Sequence, residues 1–147
     1  LVSLTATYNF SAPPERVFDL LTDPAVVASC LPGCERLEPA GEHRYRAVLS
    51  MGLAAITGRY EGTVELRELN RPASYKLVVD GRGKPGFVRG EGNIELIATP
   101  EGTTVHVRGQ AHVGGAIARV GQRLIGGASK MMADQFFSSI AAKLTAA

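Results

Sequence analysis

One stretch limits the folds open to this chain more than any other. From about Gly115 to Leu144 the sequence reads as a single amphipathic helix, roughly 30 residues and on the order of 45 Å long. At the helical period Ile117, Val120, Gly121, Leu124, Ile125, Ala128, Met131 and Met132 share one side. Arg119, Gln122, Arg123, Lys130, Ala133 and Asp134 share the other. Gly126 and Gly127 sit in its middle, where two glycines cost about 2 kcal/mol relative to alanine. Gln135 falls near the centre of the apolar face with Ser139 one turn later, and Phe137 projects from the polar side. A helix this long with one apolar face needs a surface that grips it.

The preceding residues supply that surface. Val2, Leu4, Ala6, Tyr8 and Phe10 alternate with polar residues, which predicts a half-buried strand. Ser11, Pro13-Pro14 and Glu15 start a short helix carrying Val17, Phe18 and Leu21, and Asp23-Pro24 starts a second that runs through Ala28. Leu31-Pro32-Gly33 turns the chain into a strand from Cys34 to Glu38. Strongly two-faced segments follow. Tyr45, Ala47, Leu49, Met51 and Leu53 share a face, then Ile56, Gly58, Tyr60, Gly62, Val64 and Leu66, then Tyr75, Leu77 and Val79. Asn70-Arg71-Pro72 is a turn, and Asp80 to Gly86 reads as a loop rich in glycine and base. Gly90, Gly92, Ile94 and Leu96 share the next face, and Val105, Val107, Gly109, Ala111 and Val113 the last. The order is strand, two short helices, about six antiparallel strands, one long helix. That predicts an α+β architecture: one domain over residues 1–147, a curved antiparallel sheet wrapped around the C-terminal helix.

Several chemistries are disfavoured. The net charge is only +2 and charged residues make up 20%, so there is no broad basic face for nucleic acid. No run reaches the ~18 apolar residues of a membrane span, and no signal peptide is read. Cys30 and Cys34 flank Leu-Pro-Gly without other clustered ligands, a poor zinc site, and read as two reduced thiols of a cytoplasmic protein. His106 and His112 share the outward face of their strand with Arg108, and His43 falls in a loop. No Ser-His-Asp, Cys-His or paired-carboxylate arrangement lies on one inward face, so the chain does not read as an enzyme. Gly81-Arg82-Gly83-Lys84-Pro85-Gly86 lacks the ending and the following helix of a phosphate loop.

The element order and three local motifs resemble a known family. Leu31-Pro32-Gly33-Cys34-Glu35 follows the short helices, and Tyr60-Glu61-Gly62 lies in the fourth strand. Gly114-Gly115-Ala116-Ile117-Ala118-Arg119-Val120-Gly121 leads into Ala133-Asp134-Gln135-Phe136-Phe137. Together they resemble the CoxG family, the G-subunit family of carbon monoxide dehydrogenase, within the helix-grip, START-like and polyketide-cyclase-like superfamily. The resemblance implies an accessory protein of molybdenum-containing CO dehydrogenases and related hydroxylases. It implies a place in the cytoplasm, peripheral to the inner face of the cytoplasmic membrane, and a lipophilic electron acceptor of the quinone type.

On the residues alone, what remains inside the sheet is a lipophilic pocket. Gly58, Gly62, Gly90, Gly92 and Gly109 land on the inward face, where glycine serves sheet curvature, close helix packing or pocket space. Expected lining residues are Leu49, Met51, Tyr60, Leu66, Leu77, Val79 and Phe87 from the sheet, with Leu124, Ala128, Met131 and Met132 from the helix. Gln135 and Ser139 are the expected polar anchors, because a buried amide must find a hydrogen-bond partner. The stretch Asp80 to Arg89, with Phe87 at its tip and Arg82, Lys84 and Arg89 for charge, is the expected gate and membrane-facing segment. Two other functions stay open: a cyclase- or aromatase-like enzyme using Tyr60 or Gln135, and a docking protein with a filled core.

Overall fold

The computed structural model describes residues 2–52 and 57–145; Leu53 and Ile56, assigned above to the inward face, lie outside the described residues. Strand β1 (Val2–Phe10) leads into helices α1 (Pro14–Leu21) and α2 (Pro24–Cys30). Six strands follow: β2 (Cys34–Gly41), β3 (Arg44–Met51), β4 (Gly58–Asn70), β5 (Ser74–Gly83), β6 (Gly86–Thr99) and β7 (Gly102–Gly114). A 3₁₀ helix (Ala116–Val120) then precedes the long helix α3 (Gln122–Thr145). The strands form one antiparallel sheet in the order β1-β7-β6-β5-β4-β3-β2. This is the α+β arrangement expected from the sequence.

Local chemistry explains the boundaries. Asp23 caps α2 by accepting the Ala25 N–H at 3.0 Å, with Pro24 in the first turn. The helix runs two residues past Ala28 and stops where Leu31, extended because it precedes Pro32, leaves helical geometry. Ser11 does not cap α1; Pro13 holds that position without a side-chain bond. The stretch from Asp80 to Arg89 is not a loop. β5 and β6 stay paired through Asp80–Arg89, Gly81–Val88, Arg82–Phe87 and Gly83–Gly86, leaving only Lys84-Pro85 as the turn. Glycine-rich sequence suggests a loop, but here the glycines sit in ladder positions where strands come close.

The curvature follows from which elements touch. α3 packs on β1, α2 packs on β2, and α2 and α3 touch each other. A flat seven-stranded sheet would place its edges about 29 Å apart at ~4.8 Å per strand. Two touching helices span far less, with axes about 8–10 Å apart, so the sheet must curl to meet both.

The helical element departs from the expectation in one respect that matters. Gly121, at φ 93°, breaks it, and the five residues before the break are 3₁₀ rather than α. A 3₁₀ helix turns ~120° per residue against ~100° for α, so a face drawn continuously from Ile117 loses phase. The stripe that is buried on α3 is Ile125, Phe137, Ile140 and Leu144, about one residue on from the one drawn on the sequence. Phe137 is therefore core, stacked on Tyr8 at 4.3 Å and against Phe10 at 6.2 Å. Gln135 is exposed, and so are Leu124 at 60% and Met131 at 47%.

The buried side chains fall into two clusters. The larger joins Val17, Phe18, Leu21 and Cys30 to Tyr75, Ile94, Leu96, Val105 and Val107, closed by Phe137, Ile140 and Leu144. The smaller, at the other end of the strands, is Val2, Tyr60, Ile117 and Ile125.

Candidate functional site

Between the two clusters the inner face of the sheet carries little side-chain volume. Register places Gly62 opposite Gly81 and Gly92 opposite Gly109, with Gly90 between Val79 and Ala111. These five glycines form a belt across β4, β5, β6 and β7. Each is partly exposed, although it faces the helical side of the sheet.

The belt contains two kinds of glycine. A Cβ on Gly62 would lie 1.8 Å from the Asp80 carbonyl oxygen, so glycine there is demanded by strand approach. Gly90 is also tight, at 3.0 Å from the Gln110 carbonyl and 3.1 Å from the Ala111 Cβ. The other three have room. A Cβ on Gly92 would meet only the Arg108 carbonyl at 3.5 Å and the Gly109 Cα at 3.7 Å. On Gly109 it would meet the Glu91 carbonyl at 3.4 Å and the Gly92 Cα at 3.8 Å, and on Gly81 only the Glu61 carbonyl at 4.0 Å. All of these are atoms of the neighbouring strand at ordinary contact. No described atom of α3 reaches them, so close helix packing does not account for these three positions.

Apolar side chains border the belt. Leu4, Val64, Leu66, Leu77 and Val79 are half-buried on the same face, with Leu49, Met51 and Val88 toward the smaller cluster. From α3, Ala128 and Met132 are half-buried. Tyr60 is buried at the belt's end, and burial pushes its phenol pKa upward. Among the described residues no carboxylate or ammonium group belongs to the inner face at these rows, so what the surface can recognise is apolar.

Polar groups gather in the helical layer. A groove of about 720 Å³ runs between the α2–β2 turn, Ser29 to Gly33, and one side of α3 at Asp134, Gln135, Ser138 and Ser139. The turn is fixed to the sheet, since the Ser50 N–H donates to the Gly33 carbonyl at 2.8 Å. On the α3 side, the Tyr8 hydroxyl donates to Asp134 at 2.8 Å and Lys130 also bonds that carboxylate. Lys130, then Tyr8, holds the Asp134 carboxyl below its ordinary pKa. Burial, then the Asp134 bond, drives the Tyr8 phenol well up.

The structure brings together most of the residues singled out on the sequence and separates a few. Leu49, Met51, Gly58, Tyr60, Gly62, Leu66, Leu77, Val79, Gly90 and Gly92 share the inner face. Gln135 and Ser139 share the groove, Gln135 as an exposed group rather than a buried amide. Leu124 and Met131 are exposed and join neither core cluster. Phe87, 39% exposed, is one residue out of step with inward Val88 and so lies on the opposite face. Gly81 was missed because its segment reads as a loop. Ser29, Asp134 and Ser138 were missed because nothing in sequence spacing joins α2 to α3. Among the described residues no three His, Cys, Asp or Glu side chains come together as a metal site, and no helix is long and apolar enough to cross a membrane. Both cysteines are free thiols.

Comparison with known proteins agrees with this geometry. The family model for CoxG, described as the G subunit of carbon monoxide dehydrogenase, matches residues 7–145. A conserved protein from Geobacillus kaustophilus is 36% identical, with a TM-score of 0.95 over 98% of this chain and 95% of its own. A protein from Mycobacterium smegmatis is 20% identical at a TM-score of 0.71, covering 99% of this chain and 92% of its own. One from Chromobacterium violaceum is 18% identical at 0.70, covering 97% and 96%. The last two likenesses speak for the fold alone. No curated protein matches the chain.

Proposed function

We propose, from the premise that this chain belongs to the CoxG family of carbon monoxide dehydrogenase, that it is a carrier for a lipophilic molecule of the quinone type. That family is one of accessory proteins associated with CO dehydrogenase rather than catalytic subunits. In this reading the chain serves a molybdenum-containing hydroxylase of the CO dehydrogenase kind. It works peripherally at the inner face of the cytoplasmic membrane and performs no chemistry of its own.

The observation that carries the reading is the belt at Gly81, Gly92 and Gly109. Protein interiors are close-packed, and half-buried leucines and valines beside unfilled glycine positions are a departure that a ligand would repair. Covering apolar surface there is worth roughly 25 cal/mol per Å². A flat ring with an isoprenoid tail suits a surface whose centre lacks side chains and whose margins are Leu4, Leu66, Leu77 and Val79. Its carbonyl oxygens need donors, and Gln135, Ser138 and Ser139 in the groove supply them. The same openness counts against a docking protein with a filled core.

The test is organic extraction and native mass spectrometry of gently purified protein, followed by titration with a short-chain benzoquinone. A co-purifying isoprenoid quinone, or saturable binding of the analogue, is the expected result. Protein that is empty as purified and takes up no quinone in titration overturns the reading.

A further inference from the structure

The two edges of the sheet are built differently. β2, at one edge, is irregular: its register against β3 shifts between Cys34 and Arg36 and again between Pro39 and Gly41. Glu35, Arg36 and Glu38 put charge on it, and Pro39 has no N–H to offer. Bulges, charge and proline are the devices that keep an edge from pairing with another strand. β1, at the other edge, has none of them. It runs nine residues, Val2 to Phe10, in unbroken register with β7, and holds no charged residue, no glycine and no proline. At about 3.4 Å per residue that is an edge of roughly 30 Å. Alternate N–H and C=O groups of such a strand point away from its neighbour. Among the described residues, no backbone hydrogen bond outside the β1–β7 ladder involves Val2 to Phe10. α3 rests on the inner face of β1, at Val2, Tyr8 and Phe10. Ser3, Thr5, Thr7 and Asn9 of the outer face stay exposed.

The sequence of β1 is also self-complementary. In an antiparallel pair of two β1 strands centred on Ala6, Thr5 faces Thr7, Leu4 faces Tyr8, Ser3 faces Asn9 and Val2 faces Phe10. Hydroxyl and amide groups meet on the outer face, and aliphatic meets aromatic on the inner. Both are favourable cross-strand pairs, and no like charges are opposed. Registers two residues away also match the faces, but only the one about Ala6 pairs all nine residues. Leu4 and Tyr8 are half-buried, so apolar surface remains to be covered. Tyr8 is already fixed by its stack on Phe137 and its bond to Asp134, so little side-chain freedom is left to lose. The flank of α3 above it carries Lys130 and Asp134, which pair with each other and bring no net charge. Arg108, on β7 opposite Thr5, lies one strand behind the edge. Three strand spacings would hold it roughly 14 Å or more from its copy, beyond the Debye length of about 8 Å at physiological salt.

We propose that β1 is a dimerisation edge: two copies of this chain pair β1 to β1, antiparallel about Ala6, and continue the sheet through both. Residues directly opposite one another share a face, so both inner faces and both α3 helices lie on the same side of the joined sheet. One pair of strands makes a small interface, so the dimer forms reversibly with concentration. The pairing does not depend on the carrier reading.

The experiment is sedimentation velocity of the intact protein from micromolar to near-millimolar concentration. A reversible shift to twice the monomer mass is expected. Thr5→Lys combined with Thr7→Lys sets lysine opposite lysine at two places and should weaken the dimer roughly tenfold or more. Thr5→Glu combined with Thr7→Lys changes the same two exposed positions, but in the register about Ala6 it sets glutamate opposite lysine. That variant should dimerise at least as well as the parent. Centred on Thr5 or on Thr7 instead, the same variant opposes like charges and would be as weak as the double lysine. Both variants lose the Thr7–His106 contact equally, and their melting curves at micromolar concentration should agree. A monomer at every concentration overturns the proposal. So does a dimer that the double lysine leaves intact, or a glutamate–lysine variant as weak as the double lysine.

Discussion

Two stretches of the same strands, on the same face, have opposite character. At one end Tyr75, Ile94, Leu96, Val105 and Val107 are sealed by α1 and the last turns of α3, and Phe18 meets Tyr75 edge-on at 5.6 Å. A few residues along, the sheet presents Gly81, Gly92 and Gly109 with half-buried Leu77 and Val79. β5 alone passes from fully covered Tyr75 to bare Gly81 within six residues. Backbone pairing is unbroken across the boundary, so the difference lies in side-chain volume and in where the helices rest. Stability is concentrated at the closed end, which leaves the belt free to stay open.

The largest expected effect comes from breaking the closed end. Ile140 is 0% exposed and joins α3 to the larger cluster. Ile140→Ala should cost about 2–5 kcal/mol, since collapse around the cavity is partial. Leu77→Ala, on the half-covered belt, should cost clearly less, on the order of 1 kcal/mol, because less area leaves water in the parent. Urea or thermal unfolding of the two variants side by side checks the pair. Equal losses would mean the belt is as well packed as the closed end.

Glycine substitutions sharpen the comparison within the belt itself. Gly62→Ala pushes a methyl into the Asp80 carbonyl and should destabilise by about 1–3 kcal/mol whatever the ligand does. Gly92→Leu adds far more volume yet meets no obstructing atom at its Cβ, so stability should stay within roughly 1 kcal/mol of the parent while quinone binding is lost. The larger residue being the better tolerated is the signature of open space. Gly92→Leu unfolding more easily than Gly62→Ala would show that the belt is closed by contacts at greater reach.

These contrasts also show what the sequence could and could not reveal. Strand faces were legible because alternation has a period of two, and Tyr75, Ile94, Val105 and Val107 lie where it puts them. The inward direction of Gly62, Gly90, Gly92 and Gly109 was legible for the same reason. Which of them is tight and which open was not, because that depends on how closely a neighbouring strand approaches, and all four read as glycine on an inner face. The helix face was misread at Gln135 and Phe137 because periodicity assumes one continuous helix. Gly121 alone signalled the break, and a glycine within a helical pattern does not by itself say that the phase resets. The groove was not legible, since Pro32 and Ser139 come to line one groove only through tertiary packing.

The smallest effect expected is an acid dependence, and it too divides the two regions. Asp19 of α1 receives two bonds from Arg71 in the β4–β5 turn, at 2.7 and 2.8 Å, across the outside of the closed end. That guanidinium lowers the Asp19 carboxyl pKa. Asp134, lowered by Lys130 and then Tyr8, ties α3 to β1 beside the groove. A carboxyl whose folded pKa is depressed stabilises fully above its unfolded pKa, near 4, and its contribution fades as pH falls through the folded value. Both groups are exposed and screened, so each contributes little. Asp19→Asn and Asp134→Asn should therefore each lower the melting temperature slightly at about pH 7 and not at all at about pH 2, where the parent has lost the same interaction. Ligand retention should separate them. Asp134→Asn loosens the tie between α3 and β1 beside the groove and should speed release of a short-chain benzoquinone at neutral pH, whereas Asp19→Asn acts on the closed end and should leave release unchanged. Melting curves across that pH range with stopped-flow dissociation check both parts. Equal release rates for the two variants would show that the Tyr8–Asp134–Lys130 contact braces the fold alone.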